Sequence, residues 1–223
     1  MQIPKSTLKY LKTLKKNNNR DWFHEHKTAF TAEQTFIKEF HKNIIANLNK
    51  HDKIDKYKLF RIYRDVRFSK DKTPYQPHFA ASFSRTGAAL RGGYYLRIRP
   101  SESFIAGGFW DPNKEDLLRI RKEFEIDASE IREILSNKKF TSVYGNELKG
   151  AELKSAPRDF DKNHENIDLI RKKGFIAVKE LTDNEVLAPD FLENVDHYFK
   201  TLRPFFDYMS AVLTTNLNGE SII

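Results

Sequence analysis

The sequence predicts an α+β fold: a single domain with a curved antiparallel sheet packed by N- and C-terminal helices. Three features point there. Helical periodicity dominates both ends: Leu8, Leu11 and Leu14, then Phe36, Ile37, Phe40, Ile44, Ile45 and Leu48, and finally the stretch from Pro189 to Leu217. Between these ends, the period-two runs Phe79 to Ser84, Gly93 to Arg99 and Ser103 to Phe109 follow one another at spacings that suit a meander. Ahead of them lies Lys58 to Tyr75, KLFRIYRDVRFSKDKTPY, which combines a strand-like rhythm with a heavy load of charge.

Taken in order, Ser6 is placed to cap a first helix, with Lys9, Lys12, Lys15 and Lys16 on its solvated face. Asn17, Asn18 and Asn19 interrupt it, and Arg20-Asp21-Trp22-Phe23 opens a second helix in which Trp22, Phe23, His26 and Phe30 recur at helical spacing. His26 reads first as an interior histidine. His24-Glu25-His26 lacks the i, i+4 pair of a helical zinc site, so no metal is expected. A long amphipathic helix runs from Glu33 to Asn49, and a polar, lysine-rich connection from Asn49 to Tyr57 leads to a first strand near 60–68.

In that strand Phe60, Ile62, Val66 and Phe68 fall on one face, and Arg61, Tyr63, Asp65, Arg67 and Ser69 on the other. Arg64 lands among the apolar residues, where a guanidinium must be paired or kept at a wet edge. The inner face of the sheet is expected to carry Phe60, Ile62, Phe68, Phe79, Phe83, Leu96 and Ile98. Thr73-Pro74-Tyr75-Gln76-Pro77 must turn, because each proline fixes its own φ. Gly92-Gly93 and Gly107-Gly108 indicate bulges or close backbone approach, and neither pair has the spacing of a nucleotide-binding loop, so no cofactor is implied.

A turn at Asp111-Pro112-Asn113 introduces a helix carrying Leu117, Leu118, Ile120 and Phe124, which continues after a break to Ile131, Ile134 and Leu135. Ser136 to Phe160 reads as irregular, His164 to Ile170 as a short helix and Phe175 to Leu181 as a further strand. Helices follow to Leu217, broken near Pro204. One domain over 1–217 is expected, with 218–223 a loose tail.

Within 223 residues, 39 Lys+Arg stand against 31 Asp+Glu, a net charge of +8 that favours phosphates, nucleic acid or anionic surfaces as partners. The absence of cysteine excludes disulfides, thiolate metal sites and cysteine nucleophiles. No apolar run approaches the ~20 residues of a membrane span, and a cytoplasmic protein without a membrane partner is expected.

The chain resembles the conserved bacterial and fungal family grouped as domain of unknown function 2461. The resemblance rests on Asn18-Asn19-Arg20-Asp21-Trp22-Phe23 with His26-Lys27, and on RIYRDVRFSKDKTPY from Arg61 to Tyr75. It continues in Gly93-Tyr94-Tyr95 before Pro100, Gly107-Gly108 before Trp110 and Pro112, and Ala156-Pro157 before His164. The sequence departs from the family pattern at Arg158-Asp159, where Lys-Gly or Arg-Gly is expected. The resemblance carries no agreed activity, but its motifs single out Arg64, Asp65, Arg67, Ser69, Asp71, Lys72 and Tyr75, together with Arg20, Trp22 and His26.

Three readings of these residues stand side by side. In the first, Arg64 and Arg67 grip a phosphorylated or carboxylated small molecule, Lys70 or Lys72 adds charge, and Tyr75 stacks or hydrogen-bonds. Asp65, Asp71 and His26 would be the nearby acid or base groups and Ser69 the nearby hydroxyl, yet no triad spacing supports an enzyme. In the second, a basic sheet face with Tyr63, Tyr75 and Tyr95 binds single-stranded nucleic acid. The third makes the motif a folded salt-bridge network, Arg64 with Asp71 and Arg67 with Asp65 or Asp159, in a non-catalytic interaction domain. If the basic faces of two strands coincide, Arg61, Arg67, Arg97 and Arg99 converge. Oligomeric state does not follow from the sequence.

Overall fold

Helices claim the apolar stripes at both chain ends in the computed structural model, which describes residues 1–223. Helix α1 (Lys5–Lys16) buries Leu8, Leu11 and Leu14. Its N-cap is Pro4, so Ser6 lies inside the first turn rather than capping it. Asn19 caps α2 (Arg20–Glu25) by accepting from the Trp22 amide at 2.9 Å. Helix α3 (Lys27–Leu48) begins earlier than Glu33 and so includes Phe30 in its buried face.

Five strands form one open antiparallel sheet in the order β1-β2-β3-β4-β5: β1 (Ile54–Leu59), β2 (Phe79–Arg85), β3 (Gly93–Ile98), β4 (Ser103–Phe109) and β5 (Phe175–Leu181). The first strand is displaced from its expected place near 60–68. It occupies IDKYKL, of which Ile54 to Tyr57 fall in the segment read as a polar connection. An edge strand tolerates and even favours lysine, because charge there discourages pairing with another chain. Its composition therefore resembles a linker. Phe60 follows the strand on the outward face of the sheet and Phe68 lies in the loop beyond, 38% and 96% exposed, so neither belongs to the inner face. Ile62, Phe79, Phe83, Leu96 and Ile98 are buried as expected.

The helices α4 (Lys114–Ile126) and α5 (Ser129–Ser136) are followed by α6 (Lys138–Tyr144), inside the stretch expected to be irregular. Asn137 caps α6, and Phe140 and Tyr144 anchor it, a short signal among lysines. After α7 (Ile167–Ile170), β5 and α8 (Asp183–Val186), the chain ends in α9 (Phe191–Thr201) and α10 (Arg203–Thr214). Pro204 sits in the first turn of α10, where its missing amide hydrogen is not needed. The tail folds back, with Thr215 bridging Ser221.

Two compact units divide this α+β domain. The first comprises Met1–Phe83, Tyr95–Ile105 and Glu180–His197. Its core stacks Phe30 on Phe79 and Phe40 on Phe191, and Tyr57 on Phe83 with His41 against both. The second comprises Ser84–Tyr94, Ala106–Lys179 and Tyr198–Ile223. There Tyr94 packs against Phe199 and Phe206. Arg85, only 4% exposed, is answered by Asp207 at 2.9 Å, the Ser210 hydroxyl at 3.2 Å and the Arg91 carbonyl at 3.1 Å. Gly108, at φ 147, brings β4 so close to β5 that a Cβ would lie 2.0 Å from the Phe175 carbonyl oxygen.

Candidate functional site

Two surfaces of the first unit concentrate the chemistry. The loop from Phe60 to His78 is closed at its base by the Tyr63 to Tyr75 bridge, in which the Arg64 amide donates to the Pro74 carbonyl at 2.9 Å and the Gln76 amide to the Ile62 carbonyl at 2.6 Å. Inside it the Arg64 guanidinium donates to the Asp71 carboxylate, to the Thr73 hydroxyl and, at 3.4 Å, to the Ser69 hydroxyl. Asp71 also accepts from the Thr73 amide at 2.9 Å. The Arg64 guanidinium, aided by the Thr73 donors, holds the Asp71 carboxyl down to about 2. Arg67 grips Asp65 with two guanidinium nitrogens, at 2.9 and 2.6 Å, and lowers that carboxyl as well. The Lys72 ammonium donates to the Val66 carbonyl at 3.0 Å.

The neighbouring motif meets this loop directly. Asn18 exchanges two bonds with the Tyr75 backbone, at 2.9 and 3.1 Å, and the Tyr75 ring stacks on Phe23 at 4.1 Å. Trp22 stacks on His26 at 4.0 Å, and the His26 Nδ1 bonds the Trp22 carbonyl at 2.8 Å. Asn18, Asn19 and Arg20 face Val66 and Asp71 to Pro74 across a wide hollow of about 610 Å³. Of the expected residues, Arg20, Asp71 and Lys72 line it together. Arg64 and Ser69 brace the loop through Asp71 and one another. Asp65, Arg67 and His26 lie outside the lining, with Arg67 turned to solvent.

The second surface is the face of the sheet opposite the Tyr94, Leu96 and Ile98 side chains. On β3 that face carries Tyr95 and Arg97, both part-exposed, and on β4 it carries Phe104. Tyr95 stacks on Phe104 at 5.4 Å and meets Phe60 edge-on at 5.9 Å. Phe60 extends the β1 ladder by one bond, its amide donating to the Ala80 carbonyl at 2.9 Å. Ala80 on the intervening strand is small enough for the two rings to meet above it. The Arg97 guanidinium lies over the Phe104 ring at 4.3 Å and the Lys58 ammonium over Phe60 at 5.1 Å.

At one end of the row Arg97 donates to the Glu102 carbonyl at 3.0 Å, and Arg99 pairs with the Glu102 carboxylate at 3.3 Å. Burial, and then Arg97 and Arg99, hold the His78 ring down to about 4, so it adds no charge to the face at neutral pH. The four arginines Arg61, Arg67, Arg97 and Arg99 do not form one cluster. Arg97 and Arg99 share Glu102, whereas Arg61 and Arg67 act on Asp65.

Sequence reasoning named Tyr95 and Arg97 and included Lys58 in the charged stretch from Lys58 to Tyr75, but it placed Phe60 inside and missed Phe104. The alternation of Phe104 and Ala106 with Ser103 and Ile105 was the available signal for Phe104. No group of three or more His, Asp or Glu side chains is placed to hold a metal ion, and no helix is long and apolar enough to cross a membrane.

A five-stranded antiparallel sheet with helices at both chain ends, and a charged loop closed upon itself, define an α+β protein. The chain belongs to the family described as conserved hypothetical protein (DUF2461), whose profile matches residues 6–208 of the 223. No curated protein and no solved structure matches the chain.

Proposed function

We propose that the protein binds single-stranded nucleic acid on the part-exposed face of its sheet. The row Phe60, Tyr95 and Phe104, with Lys58 and Arg97 held against its two end rings, carries this reading. Rings separated by 5.9 and 5.4 Å suit a ligand that repeats planar groups, and the interleaved cations suit one that repeats negative charge. A single strand does both. The loop cations expected to grip an anion, Arg64 and Arg67, already have carboxylate partners, which would have to be displaced. The geometry supports them better as braces of the loop than as contacts.

Anisotropy of a labelled mixed-sequence oligonucleotide at low salt tests the proposal. Binding is expected, with Phe104→Ala and Phe60→Ala each weakening it by roughly 1–3 kcal/mol without lowering the melting temperature much. No binding at low ionic strength would overturn it.

A second reading is favoured by the hollow at Arg20. Its guanidinium has no carboxylate partner and shares the cavity with Lys72, which suits a phosphorylated or carboxylated small molecule, although Asp71 in the same lining opposes an anion. Calorimetric titration with phosphorylated metabolites should then show binding that Arg20→Ala removes; heats unchanged by that substitution would dismiss it.

A further inference from the structure

The lysines of α1 are more than a solvated face. Lys5, Lys9, Lys12 and Lys16 line one hollow of about 430 Å³ together with Leu8, Leu187 and a single acid, Asp183. Local stability does not call for this pattern. The first turn of α1 holds no acidic residue, so Lys5 meets the positive end of the helix dipole, and Lys5 with Lys9, like Lys12 with Lys16, repels across one helical turn. Lys12 finds Asp183 at 3.1 Å, while Lys5, Lys9 and Lys16 have no carboxylate partner.

The hollow is joined to the aromatic row by the turn between β3 and β4. Asp183 accepts from the Ser101 amide at 2.7 Å, and the Glu102 carboxylate lies 3.6 Å from Lys15 and 3.3 Å from Arg99. Arg97 and Arg99 thus lie on one side of the turn and Lys12 and Lys15 on the other, with the carboxylates of Glu102 and Asp183 paired between them. We propose that a single nucleic-acid strand held on the sheet runs past residues 99–102 and lays its phosphates along the α1 lysines. This rests on the nucleic-acid reading above. It adds a second contact region, one that reads charge and not bases.

The test compares oligonucleotides of roughly four and roughly twelve nucleotides, spanning the range of site sizes found for single-strand binders. Wild-type protein is compared with the triple variant Lys5→Gln, Lys9→Gln, Lys16→Gln. These are exposed side chains, and a thermal melt verifies folding. Wild type should bind the longer strand roughly 10-fold or more tightly than the shorter one. The triple variant should lose that gain, keep its affinity for the short strand, and show a salt slope shallower by about two, as expected for three lost phosphate contacts. A long-strand gain and salt slope equal to wild type in the variant would overturn the extension while leaving the sheet site standing. Failure of wild type to bind either strand would remove both. Equal competition by polyglutamate against the long strand would also overturn it, assigning the hollow to an acidic peptide.

Discussion

Asp71 shows how the charged loop is built. Its folded pKa of about 2 lies below the ordinary carboxylate value, so its contribution to stability is complete above about pH 4 and is lost as pH falls through about 2. Urea midpoints measured between pH 5 and pH 2 should therefore fall less steeply in Asp71→Asn, and also in Arg64→Met, which removes the main cause of the shift; slopes equal to wild type would show that the pair is not formed. Asp159 makes a separate point. Its φ of 68 is left-handed, a region that favours glycine. Asp159→Gly should gain stability, by roughly 0.5–1 kcal/mol in a denaturant titration, as strain is relieved. A loss would mean that the aspartate side chain contributes more than its backbone costs. The arginine pairing was legible in the sequence, because a guanidinium in an apolar register must find a partner, and Asp71 was one of the two acids within reach. The displacement of Phe60 and Phe68 from the core was not legible, since alternation alone fixes neither which face a residue takes nor where a strand gives way to an extended loop.

Among the elements, β2 to β5 were readable because buried strands combine alternation with turns at both ends. Strand β1 was hidden by the lysines that protect a sheet edge, and α6 by its shortness. The glycine pair at 107–108 was correctly read as a close approach, and the structure identifies the neighbours. Leu202 and Phe206 crowd Gly107, and the Phe175 backbone crowds Gly108. Gly108→Ala should push β5 from β4 and destabilise the protein by roughly 1–3 kcal/mol, the range for a strained backbone position. Hydrogen exchange should show lost protection in Phe175–Leu181. Protection and melting unchanged from wild type would contradict the contact. Alternating burial separates the two faces of β3. Tyr94, Leu96 and Ile98 build the core, and Tyr95 and Arg97 lie part-exposed on the opposite face.

For the whole molecule, net charge and the absence of cysteine were informative from composition alone, but the site was not, because it depends on which faces of three strands coincide. Residues near 58–60, 95–97 and 104 come together only after the register of β1 is known, and that register was the least visible feature of the chain. The family motifs at 18–27 and 61–75 prove to be one interlocked structure, joined through Asn18 and Tyr75. This accounts for much of their composition without a ligand. Photo-crosslinking of a bromouridine-substituted single strand, followed by mass spectrometry of the attached peptides, tests the central claim most directly. Crosslinks are expected at Phe60, Tyr95 and Phe104, lost on competition with unlabelled strand. Crosslinks confined to residues away from that row, or none at low salt, would contradict it.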